Sequence, residues 1–140
     1  MTVQEIKKLT HEVVENFWNK KQFELADKYY SPDYVNHHPL LPDVKNLDQF
    51  KQWCISFKKG FPDFNVTIED IVVEGDMVAT RWTLRCTHTG EYMGIPPTAK
   101  KAEMSGMTME RLKDGKTVEA WWNANDLGMM QQLGIIPPMQ

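Results

Sequence analysis

A carboxylate at the end of a strand, close to aromatic rings, is raw material for proton-transfer chemistry. Asp126 occupies such a place: it follows Trp122-Asn-Ala-Asn125 and opens into Leu127-Gly-Met-Met-Gln-Gln-Leu-Gly134, where a strand stops and a terminal helix starts. Turned inward, it is an acid in an apolar pocket, its proton affinity raised by poor solvation, and a candidate general base. Turned to the helix, it is an N-cap worth about 1 kcal/mol, a role Asn would fill equally well. In the sequence, no other acidic residue combines an apolar neighbourhood with a structural corner.

His88 ends a strand face that carries Val78, Thr80, Trp82, Leu84 and Cys86. On a concave face it points into the same space as Asp126, to orient a carbonyl or pair with the carboxylate; otherwise it is a half-exposed hydrogen-bonding residue. His37 and His38 are neighbours on an extended segment, so their side chains point opposite ways. We expect His37 in the pocket and His38 at the surface. His37, His88 and Asp126 are metal-ligand types, but no spacing motif joins them, and no metal is expected. Trp18, Trp53, Trp82 and Trp122 each suit a core; together around Asp126 they make an aromatic pocket for a flat, multi-ring molecule. Gly-rich phosphate loops, Gly-x-Ser-x-Gly elbows and Cys-His nucleophile contexts do not occur, so phosphoryl and acyl-enzyme chemistry lack support.

The elements that must position these groups follow from periodicity. Thr2-Val-Gln-Glu5 reads as a capping box, and Val3, Ile6, Leu9, Val13, Phe17 and Trp18 form one helical stripe. A second, shorter helix is expected after Asn19, with Phe23, Ala26 and Tyr30 inward, stopping at Ser31-Pro32. Tyr34 to Pro39 is a short extended piece. A third helix starts near Asn46 and ends at Gly60. Strands follow: Phe64, Val66 and Ile68 alternate until Ile71-Val72-Val73 breaks the phase, suggesting a bulge. A long strand after Glu74-Gly-Asp76 leads through a Gly- and Pro-rich loop to another across roughly residues 100–112. Asp114-Gly115 is a hairpin signal. The last strand puts Val118, Ala120, Trp122, Ala124 and Asp126 on one face. Helices first and an antiparallel meander afterwards give an α+β layer arrangement.

At 140 residues, with 41% hydrophobic and 25% charged content, the chain reads as one domain over residues 1–140. A formal charge of −3 argues against nucleic acid, which selects a basic stripe. Cys54 and Cys86 lack Cys-x-x-Cys spacing and read as buried free thiols. No long apolar run suggests a signal peptide or membrane span, so a cytoplasmic protein is expected. Arg81, Arg85, Glu119 and Trp121 fall on the outer sheet face, where ion pairs and self-association into a dimer or tetramer are expected.

Tyr34-Val-Asn-His-His-Pro39, Phe61-Pro-Asp63, Val73-Glu-Gly-Asp76, Thr87-His-Thr-Gly90, Gly94-Ile-Pro-Pro-Thr98, Asp114-Gly-Lys116 and Trp122-Asn-Ala-Asn-Asp126-Leu-Gly, with Gln132-Leu-Gly134, occur in this order. The succession resembles the SnoaL-like polyketide cyclases, also called ester cyclases, over nearly the whole chain. The resemblance implies a cone-shaped α+β barrel, shared with nuclear transport factor, scytalone dehydratase and ketosteroid isomerase, in which three amino-terminal helices close a curved antiparallel sheet. It implies ring closure of an aromatic polyketide ester by intramolecular aldol condensation, without cofactor or metal. Asp126 matches the family's acid/base aspartate, and His37 and His88 match its histidines. The family also contains hydroxylating members, so isomerase, hydratase, hydroxylase and non-catalytic binding roles stand as alternatives. The chain departs from the pattern at His38, at Leu41-Pro-Asp-Val-Lys-Asn46, at Cys86 and at Trp121.

Overall fold

The computed structural model describes residues 1–138. Helix α1 spans Val3–Val13, and Thr2 Oγ1 accepts from the Glu5 amide, the hydroxyl half of the expected box. The helix then widens into a π turn over Val14–Asn19. That extra residue per turn brings both Phe17 and Trp18 toward the core, where their rings meet edge-on at 5.0 Å. It also carries Asn19 against the sheet. The Asn19 amide donates to Val66 O at 3.0 Å and accepts from Val66 N at 2.7 Å, covering part of an edge strand that would otherwise expose unpaired groups.

The second helical piece is shorter than its periodicity suggests. A 3-10 turn, Phe23–Leu25, runs into α2, Ala26–Tyr29, and strand β1, Tyr30–His37, begins at once. Helix α3, Leu47–Gly60, starts with the full reciprocal box: Asn46 accepts from the Gln49 amide and the Gln49 side chain returns the bond. It buries Leu47, Phe50, Cys54 and Phe57 against the sheet.

The sheet order is β1-β5-β4-β3-β2, with β2 Asn65–Glu74, β3 Met77–Thr87, β4 Lys101–Lys113 and β5 Lys116–Ala124. Helix α4, Asp126–Gln132, closes the described fold. Four strands are antiparallel as expected, and β1 joins the edge parallel to β5. Bulges bend the sheet into a cone. In β2 the register shifts between Ile68 and Asp70, earlier than the phase break suggests, so Ile71 returns inward and Val72 turns outward. In β5 the shift opposite Arg111 and Leu112 takes Val118 off the inner face, and Thr117 replaces it there. Asp114 and Gly115 both have positive φ, the geometry of the predicted two-residue hairpin.

Gly106 is register partner of Trp82, and a Cβ there would sit 2.2 Å from the indole. Only glycine lets Trp82 lie flat across β4, where its Nε1 donates to Thr108 Oγ1 at 2.9 Å. Cys54 and Cys86 are free and buried. Among the described residues no helix is long and apolar enough to cross a membrane.

Candidate active site

The helices and the concave sheet face enclose a cavity of ≈ 130 Å³. A water needs roughly 10–15 Å³ on that measure, so a small ligand finds room. Trp18, Trp53, Trp82 and Trp122 all line it, as do Asp126 and His88. Three of these indoles are fixed by their nitrogens: Trp53 to Tyr92 Oη at 2.9 Å, Trp82 to Thr108, and Trp122 to Asn36 Oδ1 at 2.8 Å. Their rings therefore present apolar faces in set orientations, and the walls are largely aromatic.

Asp126 is not the cap of α4. Asn125 is: its Oδ1 accepts from the Gly128 amide at 3.0 Å. Asp126 is the first helical residue, half-buried, with its carboxylate free for the cavity. Burial raises its proton affinity above the ordinary carboxylate value, against the lowering effects of nearby His38 and of its own backbone amide.

The two adjacent histidines stand the opposite way round from expectation. Tyr34 and Asn36 are buried on the inner side of β1, and strict alternation sends His37 outward and His38 inward. His37 is exposed, bonds Glu119 Oε2 at 2.7 Å and stacks on Trp121 at 5.4 Å. His37 is therefore corrected from the pocket to the outer face, and the trio His37, His88 and Asp126 is not assembled. His38 takes the place in the cavity. Its Nδ1 accepts from the Leu40 amide at 3.1 Å, which leaves Nε2 as the protonated nitrogen of the neutral ring. Burial lowers its basicity, and the charge of Asp126 partly restores it.

His88 is 1% exposed and stacks on Phe61 at 5.0 Å. The Thr98 amide donates to its Nδ1 at 3.3 Å, and Thr98 Oγ1 lies 3.1 Å from the same nitrogen. A backbone N–H can only donate, so the ring proton sits on Nε2. Among the described residues, that Nε2 is the one buried side-chain nitrogen or oxygen without a hydrogen-bond partner. His88 lines the cavity, with this donor unused and covered by its neighbours.

Besides His38, two further ionisable lining residues were not legible as site residues. Tyr92 comes from the loop between β3 and β4, which is pinned to α3 by Thr89 and Gly90 amides donating to Gly60 O, both at 3.1 Å. Its phenol oxygen accepts from Trp53, leaving its own proton free. Burial first and the Asp126 charge second raise its proton affinity. Glu110, inward on β4, is a second cavity acid; burial raises its proton affinity as well. Asp126 is therefore not the one acid in an apolar setting.

Among the described residues no group of three His, Cys, Asp or Glu side chains is placed to hold a metal ion. What the site can do is move protons: a carboxylate of raised basicity, two imidazoles, a phenol and a second carboxyl surround an aromatic cavity.

Several solved structures resemble this chain. AclR from Streptomyces galilaeus, a candidate hydroxylase, is 32% identical with TM-score 0.86, over 99% of this chain and 87% of its own. IdmH from Streptomyces antibioticus, a candidate polyketide cyclase, is 33% identical with TM-score 0.78, over 91% and 97%. A candidate polyketide cyclase from Acidithiobacillus ferrooxidans is 26% identical with TM-score 0.85, over 96% and 99%. No curated protein sequence matches this chain. The family model described as SnoaL-like polyketide cyclase matches residues 8–133, and the chain belongs to that family.

Proposed function

We propose that this protein closes a ring in an aromatic, polyketide-like ester by intramolecular aldol chemistry, using proton transfer by its own side chains. The observation that carries this reading is the division of roles at α4. Asn125 caps the helix, so Asp126 presents a free, proton-hungry carboxylate to an aromatic cavity. Asp126 removes a proton from the carbon next to a carbonyl, and the electron pair passes to oxygen as an enolate. The carbanion carbon attacks a second carbonyl of the same molecule, one C–C bond forms, and the new alkoxide takes the proton back from Asp126. No atom is gained or lost. The free Tyr92 proton, and His88 Nε2–H once a bound substrate displaces the side chains that cover it, are the donors for the developing oxyanions. Trp82 and Trp122 offer ring faces for stacking. No step calls for a cofactor.

The test is turnover of aromatic polyketide ester candidates followed by mass and ultraviolet spectra. A cyclised product of unchanged mass is expected, and its loss in Asp126→Asn. The likeness to AclR favours hydroxylation as the second reading, for which O₂ and a two-electron reductant are consumed, product mass rises by one oxygen and the other oxygen leaves as water. A ligand returned unchanged after long incubation would leave a binding protein.

The reading extends to assembly and place. A second copy of the chain covers the outer sheet face, giving a homodimer or homotetramer. His37, Trp121, Met109, Ala79 and Val72 are successive register partners across all five strands, and Met109 and Val72 are 49% and 66% exposed. The flanking rows hold Arg81 with Asp70 and Arg111 with Glu119, so their charges are already matched. Two free buried thiols suit the reducing cytoplasm.

A further inference from the structure

Glu110 has no part in the aldol steps above, yet it is an acid placed among apolar groups. Its position on β4 follows from alternation: Ala102, Met104, Gly106 and Thr108 precede it on the inner face. Thr117 Oγ1, from the facing strand, donates to its Oε2 at 2.8 Å. That is one bond for a group with about four acceptor sites when ionised. Its other oxygen is not among the fully buried, partnerless atoms, so it keeps surface, and Glu110 lines the cavity. A buried carboxyl with one hydroxyl partner is a poor structural choice, because an apolar side chain of similar size is often as stable or more so.

Its distance from the reacting end gives it a role. The Asn125 amide bonds Ser105 O at 2.9 Å, so Asp126 lies level with this part of β4. Glu110 is five residues further along, roughly 17 Å at the rise of an antiparallel strand. The cavity thus has an acid near each end, one for chemistry and one remote from it. The phenols of Tyr30 and Tyr34 face Glu110 and are held neutral, chiefly by their own burial. No cation partners Glu110 among the described ion pairs. The surroundings of Glu110 therefore offer nothing to balance a negative charge.

We propose that Glu110 is a specificity-determining residue, binding a neutral oxygen substituent, a carbonyl or hydroxyl, at the end of the substrate remote from Asp126. The carboxyl donates its proton to a carbonyl, or exchanges bonds with a hydroxyl, while Thr117 holds the other oxygen. A carboxylate at that end of the substrate meets an acid with no cation beside it and is rejected. A ring with no oxygen there leaves the carboxyl unsatisfied. This inference rests on the cyclase reading for the orientation of the substrate, but the binding preference stands without turnover.

The experiment uses anthraquinone, anthracene and anthracene-2-carboxylate as probes, with binding read by quenching of the cavity tryptophans. The wild type should bind anthraquinone at least about tenfold more tightly than either other probe, a difference of about 1.4 kcal/mol. Glu110→Leu should erase that preference, and Glu110→Gln, which can still donate, should keep it within about threefold. An infrared difference spectrum provides a measure on the wild type alone. Anthraquinone should shift a protonated-carboxyl band that is absent from Glu110→Gln. Equal preference in wild type and Glu110→Leu, or no band shift, overturns the proposal even if cyclisation is observed. Preference and band shift in a protein that turns over no ester would keep it and overturn the cyclase reading instead.

Discussion

Asn125 and Asp126 divide two roles that one residue commonly combines: Asn125 satisfies the Gly128 amide, and Asp126 keeps its carboxylate for the cavity. The pair therefore separates stability from chemistry. Asn125→Ala should lower stability by about 1 kcal/mol, measured by urea unfolding, and leave the pH profile of turnover alone. Asp126→Asn should fold normally and lose roughly 10²–10⁴-fold in kcat. Near-normal turnover in Asp126→Asn would remove the base from the mechanism.

The base must be ionised to act, so activity should rise with pH as Asp126 loses its proton. Burial raises its affinity, which puts the midpoint of that rise above the ordinary 3.8. His38 and Tyr92 are the titratable groups that face it. The His38 charge lowers the affinity of Asp126, so His38→Gln should move the acid limb of kcat/KM to higher pH. An unmoved or downward-shifted limb would show that His38 does not sense this carboxylate.

His88 is held by Thr98 with its proton on the unused Nε2. Replacing it by Phe keeps a ring against Phe61 but removes that donor. A loss of roughly 10²–10³ in kcat with little change in KM is expected of an oxyanion donor. Thr98→Val removes one of the groups that fix the tautomer and should give a smaller loss. If His88→Phe changes only stability, its place in the wall is structural.

Much of this was legible because β3 is long and regular. Val78 to His88 alternate without interruption, and each inner position follows from any other. The adjacent histidines failed because Tyr34 to Pro39 is too short to fix a phase alone. That phase is set by pairing with β5, which no local pattern contains. Glu110 escaped for a different reason. Around it the outer residues of β4, Met107 and Met109, are more apolar than Gly106 and Thr108 within, so the hydrophobic pattern reads inside out. Glycine makes room for Trp82, and the outward methionines belong to the face assigned to a second copy. Val118 was misplaced by a bulge, which a strict period of two cannot register.

That outward band supports a prediction of its own. Met109→Lys and Val72→Lys place charge at the middle and edge of the apolar row without touching the cavity lining. Sedimentation at micromolar concentration should change from a dimer or tetramer to a monomer, with far-ultraviolet circular dichroism unchanged. A wild type that sediments as a monomer would leave the row without a partner.

The last prediction concerns how Glu110 couples folding to pH. Its affinity for a proton in the folded protein is raised above the ordinary 4.5, by burial and against the Thr117 bond. A carboxyl raised in this way stabilises the fold while protonated, and the contribution is lost as pH rises through its folded value. Tyr30 and Tyr34 lie around it, and burial pushes both upward, so they stay neutral across that interval. Glu110→Gln carries no ionisable proton there. Its melting temperature should gain steadily on the wild type as pH rises from about 4.5 toward the folded value, and then the gap should level off. Asp126 titrates in both proteins and cancels in the comparison. A gap constant with pH would mean that Glu110 ionises in the folded state as it does in water, and the remote end of the cavity would then tolerate charge.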